Sequence, residues 1–179
     1  VCGYPARDFL EFKDFIELCR ENVEKIAHHC VDGIAAIVGS PRVNPVVEGK
    51  DLYNSAYFLA DGKVKHITDK TLLPNYDVFD EYRYFVPGNS SVLVRAFGVD
   101  IAVAICEDLW QDGGPVAQVK RNGAGLLVVL NGSPYERDKD DVRLALVSQR
   151  AREANATLAY VNMVGGQDDL VFDGDTIVV

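Results

Sequence analysis

Apolar residues recur along this chain at two spacings, and the points where one spacing replaces the other predict its elements. From about Phe12 to Cys30, Phe15, Leu18, Val23 and Ile26 stand among Glu, Lys and Arg at helical spacing, with Leu10 just ahead of them. This predicts an amphipathic helix lying on a sheet. Val1 to Pro5 reads as a strand exit into a Gly and Pro turn. Ile34 to Val38 is a short apolar strand closed by Gly39-Ser-Pro41, and the segment onward to Lys50 is a polar loop. Leu52 to Leu59 forms the next strand, with Asp61-Gly62 as the turn and Val64 to Thr68 as its hairpin partner.

From Asn75 to Phe85 aromatic and charged residues mix without a clean period, which predicts an ordered loop, a place where function concentrates. Gly88-Asn-Ser is a turn. Val92 to Phe97 and Ile101 to Ile105 are strands joined by Gly98-Val-Asp100. Gly113-Gly-Pro115 starts a helix that Asn122-Gly123 stops, and Leu126 to Leu130 is a further apolar strand. Asp140-Asp141 opens a helix to about Ala154, with Val142, Ala145, Leu146 and Gln149 as its expected buried stripe and Asn155 past its end. Leu158 to Val161, Leu170 to Phe172 and Ile177 to Val179 complete the strands. The order from Ile101 onward alternates strand and helix. The fold class is therefore α/β, in which ligands meet the carboxyl ends of strands.

Composition narrows the picture. A chain of 179 residues that is 48% hydrophobic fills one core, so one domain or one piece of a domain is expected. The net charge of -9, without a basic run, argues against nucleic acid as a partner. No apolar stretch approaches the ~18 residues that span a bilayer, and no basic-then-apolar leader is present. No membrane partner and a cytoplasmic location are expected. The four cysteines lack CxxC spacing, which points to reduced thiols. His28, His29 and Cys30 are adjacent on a helix and diverge, so no metal site is expected. The Val-Phe-Asp at 78 and again at 171 is too short to be a repeat.

Candidate chemistry gathers at three strand ends: Lys70, Cys106, and the segment from Asn131 to Lys139. Cys106 ends the unbroken run Ile101-Ala-Val-Ala-Ile, and a thiolate there needs a cation nearby. Glu107 and Asp108 carry the wrong charge and must point away or be paired. Lys70 is a candidate for the cation and for holding an oxyanion. The competing readings are a packed thiol and a solvated lysine.

Lys70-x-x-Leu-Pro-Asn-Tyr-x-Val-Phe-Asp-Glu81, Ile105-Cys-Glu-Asp-Leu-Trp110, Asn131-x-Ser-Pro and Gly165-Gly-Gln-Asp-Asp-Leu-Val-Phe-Asp173 occur in order. Together they resemble the nitrilase, or carbon-nitrogen hydrolase, superfamily, and within it the N-terminal glutaminase domain of glutamine-dependent NAD synthetases. The resemblance implies a four-layer αββα sandwich, incomplete here, with residues 1–179 as a single partial glutaminase domain. It implies a Glu-Lys-Cys triad in which Cys106 attacks the glutamine amide and passes through a thioester, while Lys70 steadies the oxyanion. Tyr4, Tyr76, Phe79, Glu81 and Ser133 match positions that shape or support the glutamine pocket, and Lys139, like Arg137, lies in the segment that meets substrate. The base Glu is expected upstream of Val1, so the chain is read as truncated at both ends and, by itself, inactive. No cofactor is expected in this domain. Expected partners are L-glutamine, an ATP-dependent synthetase domain of the same polypeptide, and further copies in a homo-oligomer. A stand-alone amidase for another small amide and a non-catalytic binding domain are the alternatives.

Overall fold

The computed structural model describes residues 1–46, 49–90 and 93–179. The chain divides into two compact units, residues 1–90 and 91–179.

In the first unit a 3₁₀ turn at Arg7–Glu11 leads into helix α1 (Lys13–His29). Strands β1 (Ala35–Val43), β2 (Leu52–Ala60) and β3 (Lys63–Asp69) follow as an antiparallel sheet in the order β1-β2-β3. The helix sets Val23 and Ala27, with Cys30 beyond its end, against Tyr57 and Leu59 of β2. Its buried stripe is Ile16, Cys19, Val23 and Ala27, whereas Leu18, expected on that face, is 54% exposed. Cys19 takes the inner position because a thiol is small enough to let the helix approach the sheet. Strand β1 runs through Gly39-Ser-Pro41, where a strand end was expected. Proline is tolerated there because β1 lies at the edge of this sheet, where a missing N–H breaks no ladder on the outer side. The Asp61-Gly62 turn has φ of 51° and 73°, the geometry a tight hairpin requires. A short helix α2 (Glu81–Tyr84) closes what sequence predicts as loop. Of the expected loop to Lys50, Val47 and Glu48 lie outside the described residues.

The second unit carries β4 (Leu93–Ala96), β5 (Val99–Ile105), α3 (Glu107–Trp110), α4 (Pro115–Asn122), β6 (Leu126–Asn131), α5 (Lys139–Ala154) and β7 (Thr157–Asn162). A hairpin of β8 (Val164–Gln167) and β9 (Leu170–Asp173) precedes β10 (Ile177–Val178). The sheet order is β10-β7-β6-β5-β4, with β5, β6 and β7 parallel and the outer strands antiparallel. Val92, the expected first residue of β4, lies outside the described residues. Phe97 and Gly98, at φ 53° and 78°, form the whole β4-β5 turn, so Val99 and Asp100 belong to β5 and not to the connection. Ala102, Ala104, Leu127, Val129, Leu158 and Tyr160 line one face of the sheet and bury Val116, Val119 and Val147 from the helices.

Helix α5 corrects the expected stripe. Its buried residues are Arg143, Val147, Arg150 and Ala154, while Val142, Ala145 and Gln149 are exposed and Leu146 is half-buried. Both stripes satisfy helical spacing. The observed one wins because its arginines meet carbonyls and carboxylates that an apolar stripe would leave unpaired. Among the described residues no helix is long and apolar enough to cross a membrane, and no group of three His, Cys, Asp or Glu stands together as a metal site.

Candidate active site

In the second unit, the three parallel strands end in step. Ile105 pairs with Leu130 and Leu130 with Val161, so Cys106, Asn131 and Asn162 follow in one row across the sheet. Cys106 leaves the strand at φ 47° and ψ -100°, a conformation costing a non-glycine residue about 1–3 kcal/mol. The strain is held locally. The Cys106 N–H donates to the Leu130 carbonyl at 2.9 Å, extending the ladder, and its carbonyl accepts the Leu109 N–H at 2.9 Å. Asp108, buried, accepts the Ile105 N–H at 3.1 Å, and Glu107, also buried, accepts from Gln111 Nε2 at 2.6 Å. Both carboxylates thus accept hydrogen bonds from neutral donors on the same turn.

The loop after β6 is fixed as firmly. Asn162 accepts the Ser133 N–H at 2.9 Å and donates to the Ser133 carbonyl at 3.1 Å, acting as a short piece of strand. Arg143, fully buried, donates to the carbonyls of Ser133 and Pro134, each at 3.1 Å, and pairs with Asp173 at 2.8 Å. That pairing holds the Asp173 carboxyl below its ordinary value, the Arg143 hydrogen bond being the main cause. Among the described residues the fully buried Tyr160 hydroxyl has no hydrogen bond of ordinary length, and burial pushes it up to about 12. Cys106 adds to that rise, while Ser133 and Arg143 oppose it, so these groups are neighbours. Lys139 is paired with Glu136, and its ammonium lies 5.8 Å from the centre of the ring of Trp110, the last residue of the short helix after Cys106. Arg137 is exposed.

In the first unit, Lys70 and Glu81 are 1% and 3% exposed, with Lys70 Nζ donating to Glu81 Oε1 at 2.6 Å. A solvated lysine is excluded. The Tyr4 hydroxyl donates to the same Glu81 oxygen at 2.9 Å, and Asn54 Nδ2 approaches the other at 3.4 Å. Tyr4, Phe79 and Tyr76 form a ring sequence, with centroids 6.2 Å and then 5.6 Å apart. The backbone fixes the lysine: its N–H donates to Asn54 O and its carbonyl accepts from Gly88. A Cβ on Gly88 would lie 2.4 Å from the Asp69 carbonyl oxygen, so only glycine fits. Lys70, Tyr4, Tyr76, Phe79 and Glu81 are therefore brought together in one unit, and Cys106 and Ser133 in the other. Asn54, Arg143, Arg150, Tyr160 and Asn162 escaped sequence reasoning. The one usable signal was that β6 and β7 both end an apolar run in Asn, as β5 ends in Cys.

All of residues 1–179 match the carbon-nitrogen hydrolase family. The chain belongs to that family. It is 46% identical over 181 residues to the glutamine-dependent NAD(+) synthetase of Xylella fastidiosa, covering 100% of this chain and 32% of that protein. To the same enzyme of Aquifex aeolicus it is 39% identical over 180 residues, covering 100% and 31%. The chain thus spans about a third of the length of these relatives. Among solved structures, glutamine-dependent NAD+ synthetase from Acinetobacter baumannii superposes with a TM-score of 0.89 at 36% identity, over 98% of this chain and 32% of that one. An amidase of the nitrilase superfamily from Nesterenkonia gives 0.81 at 26% identity, over 99% and 65%. The α/β fold of this carbon-nitrogen hydrolase is therefore that of the nitrilase superfamily.

Proposed function

We propose that this carbon-nitrogen hydrolase is the glutaminase part of a glutamine-dependent NAD synthetase, with Cys106 as its nucleophile. The Cys106 thiol gives its proton to a general base as Sγ attacks the side-chain amide carbon of L-glutamine, and the C–N bond breaks as that proton passes to the leaving ammonia. Water then breaks the C–S bond of the thioester, giving glutamate and the free thiol. The ammonia supplies an ATP-dependent synthetase domain of the same polypeptide, which makes NAD from its deamido precursor. Lys70 holds charge on the oxyanion, and Tyr4, Tyr76, Phe79 and Ser133 shape the pocket, with Glu81 supporting Lys70. A cytoplasmic homo-oligomer without a cofactor in this domain completes the proposal.

The observation that carries this reading is Cys106 at a strained strand-to-helix turn, inside a chain that matches NAD synthetases along its whole length. The Nesterenkonia amidase lends support, because one of its structures shows covalent addition of the acetamide moiety of fluoroacetamide at the active site cysteine. That likeness also favours a second reading, an amidase for short aliphatic amides. The test uses the full-length protein. Cys106→Ala should abolish ammonia release from glutamine while ammonia-fed NAD synthesis continues. Wild-type glutamine hydrolysis by the variant would overturn the assignment, and faster turnover of acetamide than of glutamine by the unmutated protein would favour the second reading.

A further inference from the structure

Buried arginines usually answer to buried acceptors, and Arg150 answers to the turn that carries Cys106. Arg150 is 3% exposed on the inner face of α5. Its Nε donates to the Leu109 carbonyl at 2.7 Å and its Nη2 to the Trp110 carbonyl at 3.2 Å. These are carbonyls at the end of α3, a four-residue helix with no further turn to receive them. So short a helix has no stability of its own. The remaining donors reach outward, Nη2 to Asp112 at 2.7 Å and Nη1 to Glu153 at 2.6 Å, so the buried charge is balanced at the surface.

We propose that Arg150 is a positioning residue for Cys106, holding the far end of α3 so that the cysteine before it stays in its strained conformation. Asp108 holds the near end through the Ile105 N–H, and Cys106 is pinned between the two clamps. Arg143 lies about two turns away on the same stripe of α5 and binds the loop of Ser133 in the same manner. One helix therefore brackets the loops that follow β5 and β6. The guanidinium suits the task because it is a planar fork with separate donors for two carbonyls and two carboxylates, whereas an ammonium is a point charge. When the fork is lost, α3 loosens and the thiol drifts from its attack position; a displacement of about 1 Å costs on the order of a hundredfold in rate.

This inference rests on Cys106 as the nucleophile, and the experiment separates the two. In the full-length protein, Arg150→Lys and Arg150→Gln are compared with wild type for glutamine hydrolysis, for the pH dependence of Cys106 alkylation by iodoacetamide, and for thermal unfolding. The expected result is a fall in kcat of about tenfold to a hundredfold with KM within about twofold. Alkylation should slow or shift along the pH axis in parallel, with Lys the better of the two replacements. Wild-type kcat and alkylation in either folded variant would overturn the proposal, as would failure of both variants to fold, which would make Arg150 a residue of the fold alone. If Cys106→Ala still hydrolyses glutamine, the functional reading falls instead, whatever Arg150 does.

Discussion

A buried lysine and a buried glutamate meet at 2.6 Å, and neither has water to fall back on. Removing one leaves the other's charge uncompensated, a loss of about 3–5 kcal/mol in comparable buried pairs. Lys70→Met should therefore destabilise by roughly that amount in denaturant unfolding, and adding Glu81→Gln should recover at least about 1 kcal/mol. Strictly additive losses would show that the two charges do not interact. Catalysis should behave differently. If Lys70 serves the oxyanion, turnover stays about 10²–10³ below wild type in the double variant, because the charge is gone whatever the stability. Turnover that recovered with stability would confine Lys70 to the fold.

Helix α5 is the element whose reading turned on its partners. Val147 is fully buried against the sheet and Val142 is 53% exposed, although sequence favours Val142 for the core. Val147→Ala should cost roughly 2 kcal/mol through lost burial and the cavity left behind. Val142→Ala should stay within about 0.5 kcal/mol, as exposed substitutions do. Equal losses at the two positions, measured by chemical denaturation, would restore the apolar stripe and undo the assignment of Arg143 and Arg150 to the inner face. The arginines are the costlier residues to bury, and they are inside because the carbonyls of Leu109, Trp110, Ser133 and Pro134 face them.

For the whole molecule, the charge balance sets the pH range of stability. Asp173 and Glu153 both titrate below their ordinary values when folded. For Asp173 the leading cause is its hydrogen bond from Arg143; for Glu153 it is the bond from Gln149, followed by that from Arg150. The unfolded chain therefore takes up these protons first. The stabilisation is complete above the ordinary carboxylate range and is lost as pH falls through it toward the lowered folded values. At the alkaline end the sign reverses. Tyr57 and Tyr160 are pushed up to about 12, chiefly by burial, so the unfolded chain loses these protons first and stability declines as pH rises from about 10. The melting temperature should be flat between about pH 5 and 8 and fall on both sides, with the Cys19 thiol, pushed up to about 11 by burial, giving way first at the alkaline end. An Asp173→Asn variant should be less stable at pH 7 and should lose less on acidification; an acid limb as steep as that of wild type would remove Asp173 from the account.

Local pattern was enough for much of this chain. The extents of α1, β2, α4 and α5 follow from apolar spacing and from caps such as Gly123 and Asn155, both in left-handed backbone that ends a helix. The motif around Cys106 pointed to the family, since a strand-ending cysteine followed by Glu-Asp-Leu-Trp is legible without coordinates. What sequence left open was decided by contacts between residues far apart in the chain. Pro41 reads as a strand breaker until β1 is known to lie at a sheet edge. Lys70 reads either as a catalytic cation or as a solvated lysine until Glu81 and Tyr4 are seen at its end of the hairpin. Arg150 stands off the stripe that spacing predicts for α5, and the carbonyls after Cys106 are what place it inside. Periodicity records which residues avoid water. Whether a charged residue joins them depends on acceptors supplied by distant segments, and only the folded chain brings those together.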